Sequence, residues 1–151
     1  MPTEVVRPLV LIADPDVECS ALMRRQLEWA GYGVITTGFD ADALELIDER
    51  RPDALILEAT LPRRSGYTLA RELRSQPHTS HLPILMVSAR AGKLDREFAF
   101  TSGADDYIKK PFRCADIVSR LAYLAPARPA DAVPTVRRPA RQLAGPVLAL
   151  S

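Results

Sequence analysis

Residues of chemically useful type fall where short apolar runs end. Asp14 follows Leu9 to Ala13, Glu58 follows Ala54 to Leu57, Ser88 follows Pro83 to Val87, and Lys110 follows Tyr107 to Lys109. Brought to one point, two carboxylates, a hydroxyl and an ammonium suit a divalent cation and a phosphoryl group, with Asp16 close by as a further acid. Carboxylate oxygens coordinate Mg²⁺, while the hydroxyl and ammonium donate hydrogen bonds to phosphate oxygens. Any one of these residues alone is an ordinary cap or solvated charge. Four at four run ends make a more specific pattern.

Convergence of these residues requires a particular arrangement of elements. The apolar runs are too short for buried helices and read as strands covered on both faces. Between them lie stretches with helical spacing. Cys19, Leu22, Met23, Leu27 and Ala30 gather on one face of a helix that Gly31 stops. Asp40 is placed as an N-cap, with Phe39 and Leu44 at the spacing of a hydrophobic staple, opening a helix to about Arg50. Further helices run from Gly66 to about Ser75, from about Lys93 to Ser102, and from about Cys114 to Leu124. With Val34 to Thr37 as a short second strand, five strands alternate with five helices. The reading is an α/β fold, a doubly wound parallel sheet with helices on both faces. In such sheets ligands bind outside the carboxyl ends of the central strands, where the four residues lie.

A chain of 151 residues allows one domain of ordinary size, and 47% hydrophobic with 26% charged residues suits a water-exposed globular protein. The formal charge of +1 offers no electrostatic argument for nucleic acid or an anionic membrane. No run approaches transmembrane length and no signal peptide is visible at Met1 to Glu4, so a cytoplasmic location is expected. Cys19 and Cys114 are far apart in sequence and read as reduced thiols. From Pro126 the texture changes: prolines at 126, 129, 134, 139 and 146 alternate with arginines at 128, 137, 138 and 141. Such a stretch holds no regular element and reads as a mobile basic tail over residues 126–151, following a domain over 7–125.

The motifs resemble a response-regulator receiver domain, the phosphorylation switch of two-component signalling. The similarity rests on Asp14, on Leu61-Pro62 and Gly66 after the third strand, on Ser88-Ala89, and above all on Gly103-Ala104-Asp105-Asp106-Tyr107-Ile108-Lys109-Lys110-Pro111-Phe112. It implies a flavodoxin-like strand order of 2-1-3-4-5 and a cis Lys110-Pro111 peptide. It also implies that Ser88 is the switch hydroxyl, Tyr107 the switch aromatic, Lys110 the lysine that contacts the phosphoryl group, and Asp14 the first member of an acidic pair.

Two positions depart from that pattern. The family's phosphoacceptor is an aspartate, and this chain has Glu58. The second acid of the pair falls on Pro15, which has no side-chain oxygen, with Asp16 one residue beyond. Acyl phosphate formation needs a carboxylate in line with the donor phosphorus and a cation to neutralise developing charge. Glu58 carries its oxygens one methylene too far. The expectation is an atypical, non-enzymatic receiver: a phosphorylation-independent interaction module with no cofactor. The alternative is a conventional Mg²⁺-dependent phosphoacceptor served by a histidine kinase, with Asp14 and Glu58 on the metal. Two readings of Glu58 are open, a mimic of the phosphoryl charge or a vestigial acid.

The expected partner is a signalling protein or a second copy, through the face around Lys93 to Ser102 and Tyr107, with no nucleic acid and no membrane. Phe100 lies about 200° round the helix from Phe98, so both cannot point into one core. Trp29, at the edge of its helix's stripe, reads as rim packing. His78 and His81 read as solvated. Asp53, before the third strand, is at the wrong end of the sheet to replace the phosphoacceptor.

Overall fold

The structure, a computed structural model, describes residues 7–90 and 92–126. Its elements in chain order are β1 (Leu9–Ala13), α1 (Val17–Trp29), β2 (Gly33–Thr37), α2 (Asp40–Arg50), β3 (Ala54–Glu58), α3 (Gly66–Ser75), β4 (Ile84–Ser88), α4 (Lys93–Ser102), β5 (Asp106–Lys109) and α5 (Cys114–Leu124). All neighbouring strands pair in parallel, in the order β2-β1-β3-β4-β5. The Lys110-Pro111 peptide is cis, as the resemblance implied.

Alternate residues of the central strands serve opposite faces of the sheet. Leu11, Ala13, Leu55, Leu57, Ile84 and Met86 pack with Ala43, Ile47, Leu69, Leu73 and Ala99 from α2, α3 and α4. Val10, Ile12, Ile56, Leu85 and Val87 pack with Met23, Leu27, Ile117 and Leu121 from α1 and α5. Every residue of β1, β3 and β4 is therefore buried, which is why their sequences read as unbroken apolar runs.

Four local expectations need correction, the first being that Leu22, placed with Met23 and Leu27 on one face of α1, is 50% exposed. Asp40 does not cap α2: Phe39 occupies the N-cap position without a side-chain bond, and Asp40 is the first helical residue. Its carboxylate is drawn instead to Arg64, whose Nε donates to Oδ2 at 3.2 Å. Arg64 also pairs with Glu72, so the β3–α3 loop is tied to both helices beside it. Trp29 is not packed at a rim; it is 90% exposed. His78 is not simply solvated, because Nε2 lies 3.0 Å from Asp48 Oδ1. Asp53 sits at the base of the sheet as expected, where Oδ2 accepts from the Leu9 amide at 2.7 Å.

Gly66 opens α3 directly beneath the end of β3. A Cβ there would fall inside contact distance of the Glu58 carbonyl oxygen and 3.0 Å from Ala59 Cα, both rigid backbone. The amide of Gly66 donates to the Ala59 carbonyl at 2.8 Å, closing the loop. Gly66→Ala is therefore expected to destabilise the fold by about 1–3 kcal/mol through overpacking. Urea denaturation checks it, and an unchanged midpoint would show that the loop yields freely.

Candidate functional site

The parallel register sets the stagger of the strand ends. Ala13 pairs with Leu57, Glu58 with Val87, and Ser88 with Lys109. Asp14, Glu58, Ser88 and Lys110 are thereby delivered to one end of the sheet, as their positions after the apolar runs predicted. Asp14, Glu58 and Ser88 are all buried.

Lys110 is the centre of the site. Its Nζ lies 2.6 Å from Asp14 Oδ2 and 2.6 Å from Glu58 Oε1. The other oxygen of each carboxylate is also engaged, Asp14 Oδ1 by the Asp16 amide at 2.9 Å and Glu58 Oε2 by the Thr60 amide at 2.9 Å. The lysine backbone is held as well: its amide donates to the Ser88 carbonyl at 2.7 Å. Burial alone would lower the Lys110 pKa. Hydrogen bonds to Asp14 and Glu58, with their two charges, outweigh it and raise the pKa above its ordinary value. The side chain is held as ammonium.

Asp16 does not join this cluster. Its Oδ1 accepts from the Cys19 amide at 3.0 Å, so it is the N-cap of α1. An Asp immediately before the first helical residue is the sequence signal for this, and it outweighs the two-residue distance to Asp14. Ser88 makes no hydrogen bond to the Glu58 carboxylate; its hydroxyl oxygen accepts from the Arg90 amide at 3.1 Å. Tyr107 is turned inward, 1% exposed, with its hydroxyl donating to the Arg90 carbonyl. The Arg96 guanidinium carbon lies 5.4 Å from the Tyr107 ring centroid, a cation–π contact that adds to this placement. The amide of Thr60, the carbonyl of Arg90 and the side chain of Arg96 carried no signal in the sequence. Backbone groups are the same at every residue, and a helix arginine gives no hint of which ring it will cover.

All four oxygens of Asp14 and Glu58 have donors, Lys110 places a cation between the two carboxylates, and residue 15 is a proline. No cluster of three or more His, Cys, Asp or Glu side chains that could hold a metal occurs among the described residues.

On α4, Phe98 turns toward α3. Its ring makes an edge contact with Tyr67 at 4.7 Å between centroids, and the Arg71 guanidinium carbon is 5.9 Å from its centroid. Phe98 and Phe100 are each a little under half exposed, so neither enters the core, in line with their helical angles.

A doubly wound sheet of this order, with acid, hydroxyl and lysine at its carboxyl end, defines the receiver class, and comparison with known proteins agrees. A family model, the response regulator receiver domain, matches residues 10–122, and the chain belongs to that family. It is similar to the phosphate regulon transcriptional regulatory protein PhoB of Rhizobium meliloti (strain 1021), 38% identical over 123 residues, which are 81% of this chain and 54% of that protein. It is similar also to the response regulator MprA of Mycobacterium leprae (strain TN), 37% identical over 128 residues, 84% of this chain and 55% of that one. The chain thus spans about half the length of the curated relatives it matches. Among solved structures, the Francisella response regulator 1452 receiver domain superposes with a TM-score of 0.73 at 27% identity, over 78% of this chain and 95% of that one. The N-terminal receiver domain of Klebsiella pneumoniae RstA gives 0.72 at 27% identity, over 77% and 97%. This is the receiver domain of a two-component response regulator. Among the described residues, no helix is long and apolar enough to cross a membrane.

Proposed function

We propose that this receiver signals without accepting a phosphoryl group, and that Glu58 supplies the negative charge which phosphorylation would otherwise bring to Lys110. The observation that carries the reading is the 2.6 Å contact between Glu58 Oε1 and Lys110 Nζ. The longer side chain reaches the lysine while its second oxygen is still held by the Thr60 amide. Tyr107 lies inward at the same time, which suits one stable arrangement of the α4 and β5 surface. The balance between two receiver states is tipped by a small free-energy difference, so one fixed ion pair inside the site is enough to bias it.

In this reading the domain is a protein-interaction module and not an enzyme, and it needs no Mg²⁺. Its partner is a signalling protein or a second copy, engaging the face formed by Lys93 to Ser102 and Tyr107. The PhoB relative is a transcriptional regulatory protein, which this chain matches over 54% of its length, and in this reading the receiver itself engages protein and not nucleic acid.

The test is direct. After incubation of the full chain with a small phosphodonor and Mg²⁺, intact mass is expected to be unchanged. A stoichiometric, acid-labile phosphoryl adduct would refute the reading and establish the conventional phosphoacceptor in its place.

A further inference from the structure

Tyr107 is held inward by two grips, and both come from one stretch of chain. Its hydroxyl donates to the carbonyl of Arg90, in the loop before α4, and the guanidinium of Arg96, on α4, lies over its ring at 5.4 Å. The ring is buried, while Arg96 itself stands in water. Among the described residues Arg96 forms no ion pair, so no carboxylate draws its guanidinium off the ring. The Arg90 carbonyl is a main-chain group that any residue there would offer. Arg96 is the grip that depends on a side chain.

The helix that carries Arg96 is lightly seated on the sheet. It buries Ala99 and Ser102, two small side chains, where α3, of the same length, buries Leu69, Ala70 and Leu73. The Ser102 hydroxyl has no hydrogen-bond partner among the described residues. The large apolar residues of α4, Leu94, Phe98 and Phe100, all stay exposed. Small side chains remove little apolar area from water and contribute little to fixing a helix. Aromatic contacts supply more: Phe98 meets Tyr67 of α3, and Arg96 meets Tyr107 of β5. Ala99 belongs to the same buried cluster as Tyr107, so the ring lies where α4 meets the sheet.

We propose that Arg96 is a positioning residue that latches α4 to the inward Tyr107, so that helix and ring keep one arrangement together. The inference rests on the reading of the α4 and β5 surface as the partner face, and it names the side chain that holds that face in one form. The face of an aromatic ring is electronegative, and a guanidinium is planar and weakly hydrated, so it stacks there at little cost in lost water. An outward swing of the ring forfeits this contact and the bond to Arg90. A displacement of α4 forfeits the same contact. Each movement is therefore opposed by the position of the other element. The latch is a local balance, since one exposed cation–π contact changes the ratio of two ring positions by about two- to fivefold.

Acetylation by N-acetylimidazole, followed peptide by peptide in mass, reads each of the 4 tyrosines separately. Two serve as internal standards. Tyr123 is 89% exposed, and Tyr32 is 1% exposed with its hydroxyl donating to the Ala125 carbonyl at 2.8 Å. The chain is used at full length, its tail over residues 127–151 lying outside the described residues. In the parent, Tyr107 is expected to react far more slowly than Tyr123. In Arg96→Gln it should react about two- to fivefold faster than in the parent, with Tyr32 unchanged. Arg96→Lys keeps a cation and should stay close to the parent. Equal Tyr107 rates in the parent and Arg96→Gln would overturn the proposal. A parallel rise at Tyr32 would also overturn it, since Arg96 would then support the whole fold and not the ring. An Arg96→Lys chain as reactive as Arg96→Gln would do the same, because charge over the ring would not be the cause. A phosphoryl adduct in the intact-mass test would instead refute the phosphorylation-independent reading and leave the tyrosine pattern standing.

Discussion

Replacing Lys110 with methionine is expected to lower the melting temperature by roughly 10 °C. Methionine keeps most of the volume of the lysine stem and removes the cation. The Asp14 and Glu58 side chains are 1% and 9% exposed, and both depend on the same Nζ at 2.6 Å. Without it, two carboxylates share a buried site with only single amide donors to hold them. Breaking a buried pair from one side costs about 3–5 kcal/mol, and the lower figure applies because the lysine retains some contact with water. For a domain of this size each kcal/mol moves the melting temperature by about 3–5 °C. Adding Glu58→Gln to the Lys110→Met chain removes one of the stranded charges and is expected to restore at least about 1 kcal/mol, a coupling that a double-mutant cycle reads directly. Lys109→Met, at an exposed neighbour, is the control. A Lys110→Met chain no less stable than that control would show that the ion triad does not hold the site together.

A larger effect in kinetics is expected from restoring the family's residues at the two departing positions. Glu58→Asp withdraws the carboxylate by one methylene, out of its bridge between Lys110 and the Thr60 amide. Pro15→Asp supplies the side-chain oxygen absent at residue 15, beside Asp14 and before the Asp16 cap. Glu58→Asp alone should stay unphosphorylated by a small phosphodonor with Mg²⁺, because the cation still lacks a ligand. The double variant should be labelled at least about a hundredfold faster than either single one, since in-line placement of the acceptor is worth that much before the metal is counted. Intact-mass time courses measure all three chains. Rapid labelling of Glu58→Asp alone would show that Pro15 is not the missing ligand. An inert double variant would place the lost activity elsewhere in the site. In either outcome Glu58→Gln separates mimicry from decay, because it keeps the size of the side chain and removes its charge. Partner affinity that falls in Glu58→Gln identifies a mimic, and unchanged affinity a vestigial acid.

Much of this molecule was legible from its residues. The runs Leu9 to Ala13, Ala54 to Leu57 and Ile84 to Val87 are apolar throughout because both faces of the sheet are covered, and that burial writes itself into composition. Gly31 and Gly103 at helix ends, both with positive φ, mark stops that other residues make at a cost. Strand ends follow from these limits, and so does the meeting of Asp14, Glu58, Ser88 and Lys110. Periodicity reports how much of a side chain is buried and along which face, so it determines element type, order and the membership of the site.

Partner choice among polar groups was settled only by the tertiary structure. Asp16 lies two residues from Asp14 yet caps α1, its Oδ1 accepting from the Cys19 amide at 3.0 Å while Lys110 is shared by Asp14 and Glu58. Asp40 could have capped α2, but Arg64, twenty-four residues on, reaches it from the β3–α3 loop. Trp29 looked like rim packing by its helical angle, yet no described element covers that side of α1 and the ring is 90% exposed. Glu58 is the decisive case. Its identity announced a departure from the receiver pattern, but its length matters only through the register that sets β3 beside β1 and β4 and brings Lys110 within 2.6 Å. Hydrophobic burial is a property of one residue and its local period. A hydrogen bond or ion pair depends on the distance between two atoms far apart in sequence, and only the folded backbone sets that distance.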